Sequence, residues 1–289
     1  MCDFCVRFGE GMKWYLNPKN FSDEMLNSER VQRDLTPILG KSLGVNGSMI
    51  DILAGPQRMA FEEGNGLLID AAIPDLANRD VIKVMGDFTA EYGHGGQVVP
   101  LEDALKIVDL HRGGTLAQPC YCRKYYGTIE KYSCLWFYPA TEVSQEARPW
   151  EEMKPLSKDE TKDLIRQFDQ EGLYHAVYYA PVPYPIVMCN CEYPYCIALR
   201  ARMEYGIKEA VLKGHSVAVV NPDRCDGCEG SLKCMTRCPF GAIRYSPSSR
   251  RITVDPFACF GCGLCRDVCD RGALRLVDRT AFPSLKDAW

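Results

Sequence analysis

"CDGCEGSLKCMTRCP" (225–239) and "CFGCGLCRDVC" (259–269) decide the reading of this chain. The first is spaced C-x2-C-x5-C-x3-C-P and the second C-x2-C-x2-C-x3-C. The fourth cysteine of each leads into a similar piece, "PFGAI" in one case and "DRGAL" in the other, so the two runs form an internal repeat. A short loop of this spacing turns several thiolates toward one point, which is what metal or cluster ligation requires. The competing use of so many cysteines is a disulfide framework, a device of secreted chains. The chain begins "MCDFCVRFGEGMKWY", with an acid at position 3 and neither a basic n-region nor an apolar run. The expected compartment is therefore the reducing cytoplasm, where thiols persist as ligands.

Together the two runs resemble the bacterial two-cluster ferredoxin family, over residues 217–279. The resemblance implies a ferredoxin-like fold, two [4Fe-4S] clusters and a role in electron transfer. In that family the fourth cysteine of each run serves the cluster of the other run. Carried over, cluster I takes Cys225, Cys228, Cys234 and Cys269, and cluster II takes Cys259, Cys262, Cys265 and Cys238. The sequence departs from the family pattern twice. Five residues instead of two, "EGSLK", separate Cys228 from Cys234, and Asp270 stands where the family usually has proline. The flanking pattern agrees with such a module. "HSVAVVNPD" (215–223) reads as a strand, "AIRYSPSSRRITVD" (242–255) as two strands around a turn, and "ALRLVD" (273–278) as a closing strand. The tail "AFPSLKDAW" is expected to leave the module, with Trp289 as a packing plug rather than a docking anchor.

Upstream the periodicity marks two helices. "PLEDALKIVDLHRGG" (100–114) has acids in its first turn and apolar residues at 101, 104, 105 and 108. "SKDETKDLIRQFDQEG" (157–172) has Ser157 and Glu160 in capping-box spacing, an apolar stripe of Leu164, Ile165 and Phe168, and Gly172 as a stop. A strand-like "LYHAVYYA" follows, and "YGIKEAVLKG" (205–214) reads as a short amphipathic helix. Each of the two long helices precedes a group of cysteines. "PCYCRKYYGTIEKYSC" supplies Cys120, Cys122 and Cys134, and "CNCEYPYC" supplies Cys189, Cys191 and Cys196. The upstream region thus reads as two similar units that bring their cysteines together. The C-x-C segments also resemble those that precede the ferredoxin module in a group of anaerobic ferredoxin-domain proteins.

Three uses of the six upstream thiols stay open: a third [4Fe-4S] cluster held by four of the six, a structural zinc ion, or burial as small apolar side chains. Cys2 and Cys5 add a further C-x2-C pair as ancillary candidates.

The bulk numbers exclude more than they identify. The chain has 289 residues, 46% hydrophobic and 25% charged, with 16 cysteines and a net charge of -4. That charge selects neither nucleic acid nor an anionic membrane surface. The most apolar long stretch carries Pro181, Pro183 and Pro185, which no spanning helix accommodates. No Rossmann fingerprint, P-loop or C-x-x-C-H occurs. His94, His111, His175 and His215 are the only histidines and read as structural. No catalytic residue is assigned.

The expected fold class is α+β, with a C-terminal ferredoxin-like 2[4Fe-4S] module preceded by a mixed, helix-containing cysteine-rich domain. The expected division is 1–214, 215–279 and a tail, 280–289. The function expected is an iron-sulfur electron-transfer protein or oxidoreductase subunit with a partner redox enzyme. The alternatives are an oxidoreductase with an open cluster or a flavin, and a redox-sensing interaction module.

Overall fold

The computed structural model describes residues 3–26, 95–120, 122–123, 131–141, 152–178, 182–204 and 206–289. It is a mixed helix-and-strand structure with a ferredoxin-like C-terminal part. The N-terminal segment forms two short helices, α1 (Asp3–Phe8) and α2 (Asp23–Leu26). Strands β1 (Gly96–Val99), β2 (Thr115–Gln118), β3 (Cys134–Phe137), β4 (Lys154–Leu156), β5 (Tyr174–Tyr178), β6 (Val187–Cys191) and β7 (Val211–Leu212) build one seven-stranded sheet, ordered β4-β2-β3-β6-β5-β1-β7. Helix α3 (Leu101–Leu110) joins β1 to β2, and α4 (Lys158–Glu171) joins β4 to β5.

The order encodes a pseudo-twofold repeat. One half runs β1-α3-β2-β3 and the other β4-α4-β5-β6. Exchanging the halves reverses the order of the six strands and leaves the pattern intact. The axis passes through the pair Leu135↔Met188 at the antiparallel β3–β6 junction, where Cys134↔Cys189 and Trp136↔Val187 change places. The hydrogen bonds Phe137 N–H to Ile186 O and Asn190 N–H to Ser133 O, both 2.9 Å, exchange likewise.

Both long helices form where their patterns predict. Ser157 caps α4 through the Glu160 amide while the Glu160 side chain accepts from the Ser157 amide, and Gly172 ends the helix at φ 96°. Ala104, Ile107 and Val108 of α3 and Ile165 of α4 pack on one sheet face against Val99, Ala117, Leu135, Phe137, Val177 and Met188. Each large apolar side chain so buried contributes about 1.5–3 kcal/mol. Trp14 and Tyr15 complete this layer. Asp103, buried in α3, is paired with Lys13 and accepts from the Tyr15 hydroxyl at 3.1 Å.

Strand alternation sends the other residues to the opposite face. There Trp136 and Val187 meet Phe21, Leu26, Val182 and Tyr184. Beside them Val98, Tyr174, Ala176 and Cys191 meet Phe240, Phe260, Cys262 and Leu264 of the C-terminal part. This shared apolar layer seats that part on the sheet.

Residues 206–214 depart from the helix expected over 205–214. A single 3-10 turn at Lys208–Ala210 leads straight into β7, and the helix of this region is instead α5 (Ile197–Met203). Gly206 stands at φ 73°, a left-handed conformation that stops α5 from continuing. The C-terminal part pairs β8 (Ser216–Val220) with β11 (Leu274–Asp278), and β9 (Ile243–Ser246) with β10 (Arg251–Val254), around two short helices, α6 (Lys233–Arg237) and α7 (Leu264–Asp267). The tail does not leave it. Phe282, Leu285 and Ala288 pack into its core, and Trp289 meets the His215 ring at 5.0 Å.

Candidate metal centres

Two cavities open inside the C-terminal part. The first, about 310 Å³ including the space that reaches solvent, is lined by Cys225, Cys228, Cys234 and Cys269 with Leu232, Ile252, Ala273 and Leu274. The second, about 320 Å³ on the same measure, is lined by Cys238, Cys259, Cys262 and Cys265 with Ala218, Ile243, Phe240 and Phe260. Each takes three thiols from one repeat and one from the other. Four soft donors around an apolar hollow fit a cube with one thiolate per iron. Backbone amides support them: Ala218 N–H donates to Cys259 Sγ at 3.4 Å and Ala273 N–H to Cys269 Sγ at 3.3 Å. Residues 218–270 match the 4Fe-4S dicluster domain.

Relatives of the dicluster domain are parts of larger proteins. The indolepyruvate oxidoreductase subunit IorA of Pyrococcus abyssi is 40% identical over 58 residues, 20% of this chain and 8% of its own length. The polyferredoxin protein MvhB of Methanothermus fervidus is 38% identical over 61 residues, 19% of this chain and 15% of its own. The adenylylsulfate reductase subunit beta of Megalodesulfovibrio gigas is 36% identical over 58 residues, 19% of this chain and 35% of its own. The match thus spans about a third or less of each relative and about a fifth of this chain.

The two halves of the dicluster domain differ in exposure. Cys225, Cys228 and Cys269 of the first cavity are half-buried, whereas Cys259, Cys262 and Cys265 of the second are buried. Burial raises these three thiols, that of Cys265 to about 12. Without metal they keep their protons, which a binding metal must displace. The two departures from the family pattern meet at the first cavity. Lys233, the last residue of the five-residue loop, pairs with Asp270 at 2.7 Å and so ties one repeat to the other.

Arg279 is fully buried beside the second cavity. It donates to the carbonyls of Gly214 at 2.9 Å, Cys259 at 2.6 Å and Ser216 at 3.1 Å, with longer contacts to those of Pro256 and Ala288. These contacts clamp the tail, the entry to β8 and the loop of Cys259 together. The signal available in sequence was a cation placed directly after the last strand.

The structure also gathers the six upstream thiols. Cys134 Sγ lies 3.8 Å from Cys189 Sγ across the pseudo-twofold junction. Cys120 contacts Cys122 and Cys134, Cys189 contacts Cys191, and Cys196 contacts Cys122 and Cys191. The contacts close into a ring. Hydrogen bonds from their neighbours hold the Cys120 and Cys196 thiols down, whereas contact with those neighbours and burial hold Cys122, Cys134, Cys189 and Cys191 up. Asn190, between two of the cysteines, points to the helix face. There it meets His175 Nδ1 at 2.7 Å and donates to Ser133 O at 3.0 Å, which pins β6.

Among the described residues no three or more His, Cys, Asp or Glu side chains close on a point as the ligands of a single ion would, and the dicluster quartets are no exception. Cys5 stands apart from the ring. Its sulfur lies 3.0 Å from His215 Nε2, and it packs with Trp14 and Tyr15 in the layer on the helix face. Cys2 and His94 lie outside the described residues. None of His111, His175 and His215 lines either cavity. Among the described residues no helix is long and apolar enough to cross a membrane.

Proposed function

We propose that this chain is an iron-sulfur electron-transfer protein, or the electron-transfer subunit of an oxidoreductase, working with a partner redox protein in the reducing cytoplasm. The observation that carries the reading is the pair of four-cysteine cavities in a dicluster domain, each drawing three thiols from one repeat and one from the other. Cys225, Cys228, Cys234 and Cys269 would hold cluster I, and Cys259, Cys262, Cys265 and Cys238 cluster II. Bound [4Fe-4S] groups supply one-electron storage and release. The protein supplies the rest. Crossed ligation joins the two repeats, the amides of Ala218 and Ala273 orient sulfurs, and Arg279 sets a positive charge beside Cys259.

The more exposed first cavity is the natural side for a partner, since its rim carries the pairs Arg271–Asp226 and Lys233–Asp270. The seven-stranded sheet is the platform on which the dicluster domain sits, and the six thiols gathered on it add a third metal site, iron-sulfur or zinc.

The test is the visible spectrum of anaerobically purified full-length protein before and after dithionite. Bleaching of the thiolate-to-iron absorption with no flavin bands is expected. A stoichiometric flavin would replace this reading with that of an oxidoreductase.

A further inference from the structure

We propose that the ring of six upstream thiols encloses one buried, all-thiolate iron-sulfur site held by four of them, built across the pseudo-twofold junction and seated against the wall of the second dicluster cavity. The inference rests on the reading of the chain as an electron-transfer protein and adds a site to it.

Three separated segments supply the donors. Cys120 and Cys122 follow β2, Cys134 opens β3, and Cys189, Cys191 and Cys196 come from β6 and the turn into α5. Each half of the repeat therefore contributes three thiols. Strand alternation puts Cys134, Cys189 and Cys191 on the face away from α3 and α4. The pairing Cys134↔Cys189 then makes two of them direct neighbours. Cys189 and Cys191, two apart in β6, share that face without any bend, and the turn after the strand brings Cys196 against Cys191.

Two further groups point to a ligand. Ser133 Oγ and the Tyr174 hydroxyl are buried, and neither makes a well-formed hydrogen bond. Ser133 lies against Cys120, and Tyr174 against Cys196. Hydroxyl donors beside thiolates are the outer-shell partners that metal-bound sulfur recruits. Arg123, buried and paired with Glu192, adds a cation at the same edge. Simple packing of reduced cysteines gives no reason for six of them to close a ring with two hydroxyls left short of partners. A tetrahedral zinc uses four donors converging on one point, and the described residues show no such point. An iron-sulfur cluster takes its thiolates from more varied sequence spacings.

The site also has a defined neighbour. Cys191, Cys196 and Tyr174 share one apolar layer with Phe240, Phe260 and Cys262. Tyr174 meets Phe240 at 5.4 Å, and Phe240 stacks on Phe260 at 4.1 Å, both of the latter in the wall of the second cavity.

The test compares wild-type full-length protein with a Cys122→Ser/Cys134→Ser/Cys189→Ser variant, both purified anaerobically. Iron, acid-labile sulfide and zinc are counted per chain, and the intact holoprotein is weighed by native mass spectrometry. The wild type should carry about twelve irons with matching sulfide, and the variant about eight. A wild type with about eight irons overturns the proposal, whether or not zinc accompanies them. So does a variant that keeps the excess iron. If the variant fails to fold, the wild-type mass alone decides between two iron-sulfur groups and three. A wild type with fewer than about eight irons sinks the two-cluster reading instead, independently of the difference between the proteins.

Discussion

Gly261, in the loop between Cys259 and Cys262, gives the sharpest test of how the second cavity is built. It stands at φ 74°, a conformation that costs an L-residue about 1–2 kcal/mol. A Cβ there would also run into the carbonyl oxygen of Ser216 in β8. For Gly261→Ala to reach the 3.0 Å that real Cβ contacts keep, loop and strand must part by about 1 Å. Metal–ligand distances tolerate about 0.2 Å. The movement is several times larger, and it falls on the loop that carries Cys259 and Cys262. Gly241→Ala is the matched control, with a similar φ of 62° and nothing within 4 Å of its Cβ. It bears the backbone strain without the collision. Iron analysis with reduced-state EPR reads the outcome. Gly261→Ala should lose the second cluster and about four irons, whereas Gly241→Ala should keep its full complement. A Gly261→Ala protein with wild-type iron content and spectrum would refute the packing of this loop on β8.

Three further outcomes follow from other contacts. Arg279→Met strips the carbonyls of Gly214, Ser216 and Cys259 of a buried donor, at about 1–3 kcal/mol each. The urea midpoint should therefore fall by more than about 1 M, and an unchanged midpoint would remove Arg279 as the clamp of the tail. Ser157→Ala breaks the capping box of α4 and should cost about 1 kcal/mol, a fall of about 2 °C in Tm; a Tm equal to wild type would show the cap contributes nothing. Burial pushes the Glu102 carboxyl up, but the hydrogen bonds and charge of Arg266 outweigh it and hold it below the ordinary glutamate range. The pair is partly exposed, so its contribution stays below about 1 kcal/mol. It is present at neutral pH and lost as pH falls through that depressed value. The Tm gap between wild type and Glu102→Gln should shrink from pH 7 to pH 3, and a constant gap would contradict the assignment.

What was legible in the sequence was local. The cysteine spacing, the Ser157–Glu160 box, the Gly172 stop and the turn between β9 and β10 each express their physics within a few residues. The pairing of β3 with β6 does not, because residues 134 and 189 meet through strand order, which depends on all six strands at once. A similarity between two helix-then-cysteine segments was visible, but not the interleaving that makes them one sheet. The stretch 205–214 carried a helical pattern, and two constraints outweighed it: Gly206 in a left-handed conformation, and the open edge of β1 that Val211–Leu212 completes. Arg279 and the tail were missed for the same reason. A charged residue just past a strand reads as surface until the tail is seen folding back over it.

The central claim is that the dicluster domain stores electrons on two iron-sulfur clusters. Anaerobic coulometric reduction of the full-length protein, followed by EPR, tests it most directly. At least two electrons per chain are expected, with signals of two reduced [4Fe-4S] clusters close enough to interact magnetically. Fewer than two electrons per chain, or an electron count left unchanged by replacing Cys228 and Cys262 with serine, would contradict it.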